Sequence, residues 1–238
     1  MHKALLTTTI SLAAALPAQA LTVGTLPGDG AFLSLPFEEA FVAEGRIGIE
    51  GPGDWELGLY GPGHNGLDQS EFSWTSGGSV PFSLALNGDG LMTYQFGQEA
   101  MTFAPDFADG FNSLALRTRS TDASSVALTG LQLNGASVTA DAVSSLGEAG
   151  ASYLLLTGIT GALNSFQLTG MAEMAWLAGE RPTRSHLAFQ LKGGSLPGLP
   201  GGEPGVETAV PEPSFYGLVG AVLLGGLIAG RRLRHRRN

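Results

Sequence analysis

Short runs of alternating apolar and polar residues recur along residues 37–192. A period of two is the pattern of a strand with one buried and one wet face. Trp55, Leu57 and Leu59 follow it, as do Phe82, Leu84 and Leu86, then Leu114 and Leu116. Phe166, Leu168 and Gly170 form another run, and Leu187, Phe189 and Leu191 a further one. Val126 and Leu128 keep one phase; after Gly130 the phase changes to Leu131 and Leu133. Turn signals separate the runs: Gly51-Pro52-Gly53, Gly61-Pro62-Gly63, Asn87-Gly88-Asp89-Gly90 and Asn134-Gly135. Val80–Leu86, turn, Leu91–Phe96 reads as the clearest hairpin. This pattern predicts an all-β domain, an antiparallel β-sandwich or jelly roll.

Composition agrees. Glycine supplies 36 of 238 residues, about twice the average share, which favours short strands and tight turns over long helices. One stretch, Thr139–Gly147, places Ala140, Val143 and Leu146 at helical spacing before a glycine, and is expected to be a short helix or a long loop. Residues 21–192 suffice for one core. Gly193–Pro213 has eleven glycines and prolines in 21 residues, a density that neither helix nor sheet tolerates. Residues 193–209 are therefore read as a linker.

The two ends of the chain read as addresses. Met1-His2-Lys3, the uncharged stretch Ala4–Leu16 and Ala18-Gln19-Ala20 are the three parts of a secretory signal peptide over residues 1–20. Signal peptidase is expected to read Ala18 and Ala20 and cut after Ala20. Near the other end, Ser214–Gly230 is an uncharged apolar run of 17 residues. As a helix it spans about 25 Å, the short limit for a bilayer. Arg231, Arg232, Arg234, Arg236 and Arg237 follow within the tail 231–238. Positive residues stay cytoplasmic, so the bulk of the chain is expected on the far side of the membrane.

Charge and residue usage exclude several functions. Residues 21–213 hold six basic and 21 acidic side chains, a balance of −15. Such a domain repels nucleic acid. With no cysteine, thiolate nucleophiles, Cys-zinc sites and iron–sulfur clusters are out of reach.

Residues 210–238, with Pro211-Glu212-Pro213, the apolar span 214–230 and the arginine tail, resemble the PEP-CTERM sorting signal of Gram-negative, exopolysaccharide-producing bacteria. The resemblance implies recognition by exosortase, a multi-pass membrane transpeptidase-like enzyme that cuts near Pro-Glu-Pro. It also implies transient membrane anchoring, then release or transfer to the cell surface. Phe111–Arg119, Ser124–Gly135, Ser165–Trp176 and Ser185–Lys192 resemble choice-of-anchor domains of the anchor-W type. That implies a secreted β domain and no particular activity. The expectation is a sorted, non-enzymatic surface protein, structural or adhesive in the exopolysaccharide layer, with a displayed lectin-like module as the alternative.

No catalytic constellation, metal centre or cofactor site stands out. Within residues 21–213 only His64 and His186 are available to a triad, and no Gly-x-Ser-x-Gly elbow surrounds a serine. Asn87-Gly88-Asp89-Gly90 has oxygen ligands for calcium but lacks the bidentate Glu of an EF-hand; a hairpin turn explains it. Glu38-Glu39, Asp54/Glu56 and Asp68/Glu71 are carboxyl pairs of the kind glycosidases use, in a chain where such pairs are abundant. Residues 54–74 gather Trp55, Tyr60, His64, Asn65, Asp68 and Trp74 around a Gly-rich loop. Aromatic plates flanked by Asn and Asp suit a pyranose ring. Inward core positions on neighbouring strands are the commoner place for tryptophan.

Overall fold

The computed structural model describes residues 21–49, 54–105, 111–159 and 165–197. The signal-peptide residues Ala18 and Ala20, the motif Pro211-Glu212-Pro213, the span 214–230 and Arg231 to Arg237 lie outside the described residues. Among the described residues no helix is long and apolar enough to cross a membrane.

The described residues form two seven-stranded antiparallel sheets. The first contains β1 (Thr22–Pro27), β2 (Glu38–Arg46), β3 (Leu57–Gly61), β4 (Asn65–Ser70), β8 (Ser113–Ser120), β12 (Gly150–Thr157) and β14 (Ala188–Ser195). Its order is β1-β12-β8-β14-β2-β3-β4. The second contains β5 (Gly78–Leu86), β6 (Met92–Phe96), β7 (Glu99–Phe103), β9 (Ser124–Leu133), β10 (Ala136–Ser137), β11 (Ala142–Ser144) and β13 (Phe166–Trp176). Its order is β10-β9-β13-β5-β6-β7, with β11 also on β9. A single α-helix appears among the described residues, α1 (Gly28–Leu33).

The alternation explains the packing. Phe41, Leu57, Leu59, Leu114, Leu116, Leu154, Leu156, Phe189 and Leu191 of the first sheet share one core with Phe82, Leu84, Tyr94, Phe96, Val126, Leu128, Phe166 and Leu168 of the second. Truncating one such side chain to alanine costs about 2–5 kcal/mol. The expected hairpin forms, with Leu86 opposite Met92. The phase change in β9 is a β-bulge. Gly130 has φ 59°, and the register with β13 shifts between Thr169 and Met171. The extra residue turns Leu131 and Leu133 back onto the core face.

Two expectations are corrected. Thr139–Gly147 holds strand β11, not a helix: Ala142 and Ser144 are buried while Val143 and Leu146 are exposed. The linker begins later than residue 193, because β14 runs through Gly193-Gly194-Ser195 between β8 and β2. A Cβ on Gly193 would strike the Phe41 ring, and one on Gly194 the Glu38 carbonyl. These glycines serve close packing, which composition alone reads as flexibility.

Candidate functional site

The outer face of the first sheet carries an unusual set of side chains. Register aligns Tyr153, Arg117, Gln190, Glu44 and Gly58 in one row across β12, β8, β14, β2 and β3. At one end α1 delivers Asp29. Arg117 donates to both its oxygens, Nε to Oδ1 at 2.8 Å and Nη2 to Oδ2 at 3.0 Å. The Tyr153 hydroxyl donates to Oδ1 at 2.7 Å. The bond from Arg117 outweighs burial and holds the Asp29 carboxyl down at about 2. Phe32 of α1 stacks on Tyr153 with ring centroids 4.5 Å apart, and Leu26, Leu35 and Phe37 pack around them.

Further along the row Glu44, only 6% exposed, accepts two neutral donors on Oε2: the Tyr60 hydroxyl at 2.6 Å and Gln190 Nε2 at 2.8 Å. Burial, and then the Glu44 charge, push the Tyr60 phenol far above its ordinary range, so it remains a donor. Lys192 Nζ reaches Glu39 Oε2 at 2.6 Å.

Trp55 and Tyr60 do meet, ring centroids 6.2 Å apart, in a small cluster with Val42 and Leu67. The Arg46 guanidinium covers the Trp55 ring at 3.7 Å. Its Nε donates to the Trp55 carbonyl at 2.8 Å, its Nη2 to Asp54 at 2.9 Å and its Nη1 to Ser185 Oγ at 3.2 Å. The indole also lies against Gly58, where a Cβ would strike it. Trp55 is thus buried on the outer face, in contact with a cation and with the backbone. His64 stacks on Tyr60 at 4.4 Å.

Trp74 belongs to the interior. It packs on Phe72, Phe96 and Phe189, and its Nε1 donates to the Arg46 carbonyl at 2.9 Å. Asp68 seals the sandwich edge, its Oδ2 accepting the Thr102 N–H at 2.8 Å. Asn65 is exposed where β4 meets Gly61. The expected glycan plate of Trp55, Tyr60, Asn65, Asp68 and Trp74 is therefore corrected. Its indoles and phenol are spent on packing, and its residues divide between the outer face, the core and an edge.

The carboxyl pairs serve structure as well. Asp54 pairs with Arg46, Glu56 accepts the Phe72 N–H, Glu39 holds Lys192 and Glu38 accepts from Ser195. Asn87 Oδ1 accepts the N–H groups of Asp89 and Leu91, an Asx turn that closes the β5–β6 hairpin. No group of three metal-ligating side chains occurs among the described residues.

Sequence reading missed Asp29, Arg117, Tyr153, Glu44 and Gln190 as partners. Alternation places Arg117 on a wet face, but nothing local announces a partner 88 residues away. No protein-family model matches this chain, and no curated protein matches it significantly.

Proposed function

We propose that this chain is an exported surface protein whose C-terminal segment is the substrate of an exosortase-type sorting enzyme. Its β-sandwich would act as a non-enzymatic structural or adhesive part of the exopolysaccharide layer. The ordered set of Pro211-Glu212-Pro213, an uncharged run of membrane length and five arginines, opposite an N-terminal Ala18-Gln19-Ala20, carries the reading. Two structural facts support it. The first strand starts at Thr22, two residues past the expected cut. The last strand among the described residues ends at Ser195, three residues into the Gly/Pro-rich stretch and ahead of most of it. A domain that begins and ends between two addresses suits release by processing at both.

The test is replacement of Pro211, Glu212 and Pro213 by alanine in the native host. The precursor should then accumulate in the inner membrane, read by fractionation, and mass spectrometry of wild-type mature protein should place its C-terminus near residue 213. Normal release of the triple variant would sink the proposal. Carbohydrate recognition by residues 54–74 is not carried forward, because the aromatic rings it needs are packed away.

A further inference from the structure

The outer edges of the two sheets are not alike. β4 and β7 close against each other, with Asp68 of β4 accepting the Thr102 N–H of β7 at 2.8 Å. β4 also breaks register with β3 between Leu59 and Gly61. At the far edge of the second sheet β10 has two residues and β11 three, and Ser144 of β11 shares a hydrogen bond with Thr118 of β8 at 2.8 Å. β1 is the exception. It pairs with β12 over all six residues without a register shift, and its other side has no strand beside it among the described residues.

Such an edge offers free N–H and C=O groups to any strand that comes alongside. Proteins blunt it with lysine, inward charges, bulges or an interrupting proline. Thr22-Val23-Gly24-Thr25-Leu26 carries none of these devices, and Pro27 only ends the strand. Thr22, Gly24 and Thr25 are exposed, so both faces of β1 are open.

Gly24 is the telling position. A glycine inside a strand weakens it, and marks a bulge, a tight bend or the close approach of another backbone. At Gly45, Gly58 and Gly193 a Cβ would strike an aromatic ring, so the fold requires those glycines. At Gly24 a Cβ meets nothing within 4 Å among the described residues. Its φ is not in the left-handed region, and the ladder around it is unbroken. The packing of a single chain therefore gives no reason for this glycine, whereas a second backbone laid against β1 does. The helix that follows β1 adds an apolar flank: Leu33 of α1 is 78% exposed, the most of any large hydrophobic residue among those described.

Charge decides the occupant. Residues 21–213 carry a balance of −15, so two copies repel over most of their surface. β1 and β12 hold no charged residue, and Asp29, just beyond β1, is neutralised by Arg117. A copy meets least repulsion along this edge. A second β1 is also the strand among the described residues that is long, regular and unpaired enough to meet it, and a contact of like with like closes on itself.

We propose that two copies of this chain pair through β1, antiparallel about a two-fold axis at Gly24, and join their first sheets into one continuous sheet. Gly24 faces Gly24 of the second copy, Val23 faces Thr25 and Thr22 faces Leu26. The proposal concerns the sandwich alone and does not rest on the sorting reading.

The chain has no cysteine, so single cysteines report the contact. The detergent-solubilised full chain is oxidised as Gly24→Cys, Thr22→Cys and Gln69→Cys, the last on β4 at the opposite edge of the same sheet. Directly opposed Cα atoms in an antiparallel pair lie about 4.5–5.5 Å apart, within disulfide reach. The two Thr22 positions would stand roughly 14 Å apart. Gly24→Cys should therefore form a covalent dimer about tenfold or more faster than the other two. Thr25→Lys, at an exposed position, sets like charges beside the axis and should weaken dimerisation about tenfold in sedimentation. Should Thr25→Lys disturb the fold, the cysteine series decides, because the space at Gly24 accepts a side chain in the single copy. A monomer at every concentration would overturn the proposal and leave the edge to a strand of another protein. Equal cross-linking at the three positions would overturn it too. So would a dimer that survives Thr25→Lys unchanged, as association through residues 214–230 would.

Discussion

The two sheets share a core yet differ on their outer faces. Across the second sheet one row reads Gln132, Thr169, Ser83, Gln95 and Ala100, all uncharged. The corresponding row of the first sheet is Tyr153, Arg117, Gln190, Glu44 and Gly58, with Asp29 and Tyr60 joined to it by hydrogen bonds. The second-sheet row is exposed or half-buried and its only side-chain bond among the described residues is the local one from Gln95 Nε2 to the Gly97 carbonyl, so it tolerates change. On the first sheet long side chains are held in fixed geometry beneath aromatic rings, and each depends on its neighbour. A wet face needs only to be polar; a covered face needs every polar group matched.

The largest test of this contrast is Glu44→Ala. It strips the acceptor from Tyr60 and Gln190 inside a buried cluster, and should cost about 2–4 kcal/mol in denaturant unfolding. A loss under about 0.5 kcal/mol would mean that the row is not coupled. Asp29→Asn should cost about 1 kcal/mol at pH 7, a small figure because the Asp29 side chain is 49% exposed and screening weakens the pair. Its pH dependence has a definite sign. The folded carboxyl sits at about 2, below the unfolded value of about 3.9. The stabilisation is therefore full above about pH 4 and fades as pH falls through about 2. Melting curves of wild type and variant should converge on acidification.

In the interior, Tyr94 is fully buried and its hydroxyl lacks a hydrogen-bond partner among the described residues. Tyr94→Phe should leave stability unchanged or raise it by up to about 1 kcal/mol. A clear loss would reveal a hidden partner. Ser83→Ala on the second sheet should stay within about 0.5 kcal/mol.

The same contrast explains what was legible in the sequence. Where the outer face is wet, period two survives, as in β5, β6, β9 and β13, including the phase change at Gly130. Where apolar side chains cover the outer face the period can disappear, although β8 keeps it because Arg117 and Arg119 stand among the covered positions. In β12, Tyr153 and Leu155 point outward beneath Phe32 and its neighbours, so Tyr153 to Leu156 reads as a continuous apolar run. In β2, Phe41 to Gly45 are all buried, which hides the strand in the same way. Helix α1 is six residues with two glycines and forms because Phe32 finds Tyr153, a contact no local pattern encodes. Trp55 and Trp74 show the limit for sites: both looked alike in sequence, yet one is clamped outside and the other lies inside.

The placement of β14 has a mechanical consequence. Among the described residues β14 is bonded along both sides, to β8 and to β2, whereas β1 pairs with β12 alone. A pull transmitted from beyond residue 197 would load β14 along its length, so two ladders must shear together before it slides free. The same pull on β1 meets one ladder. Any tether following this domain is thus attached at its strongest grip.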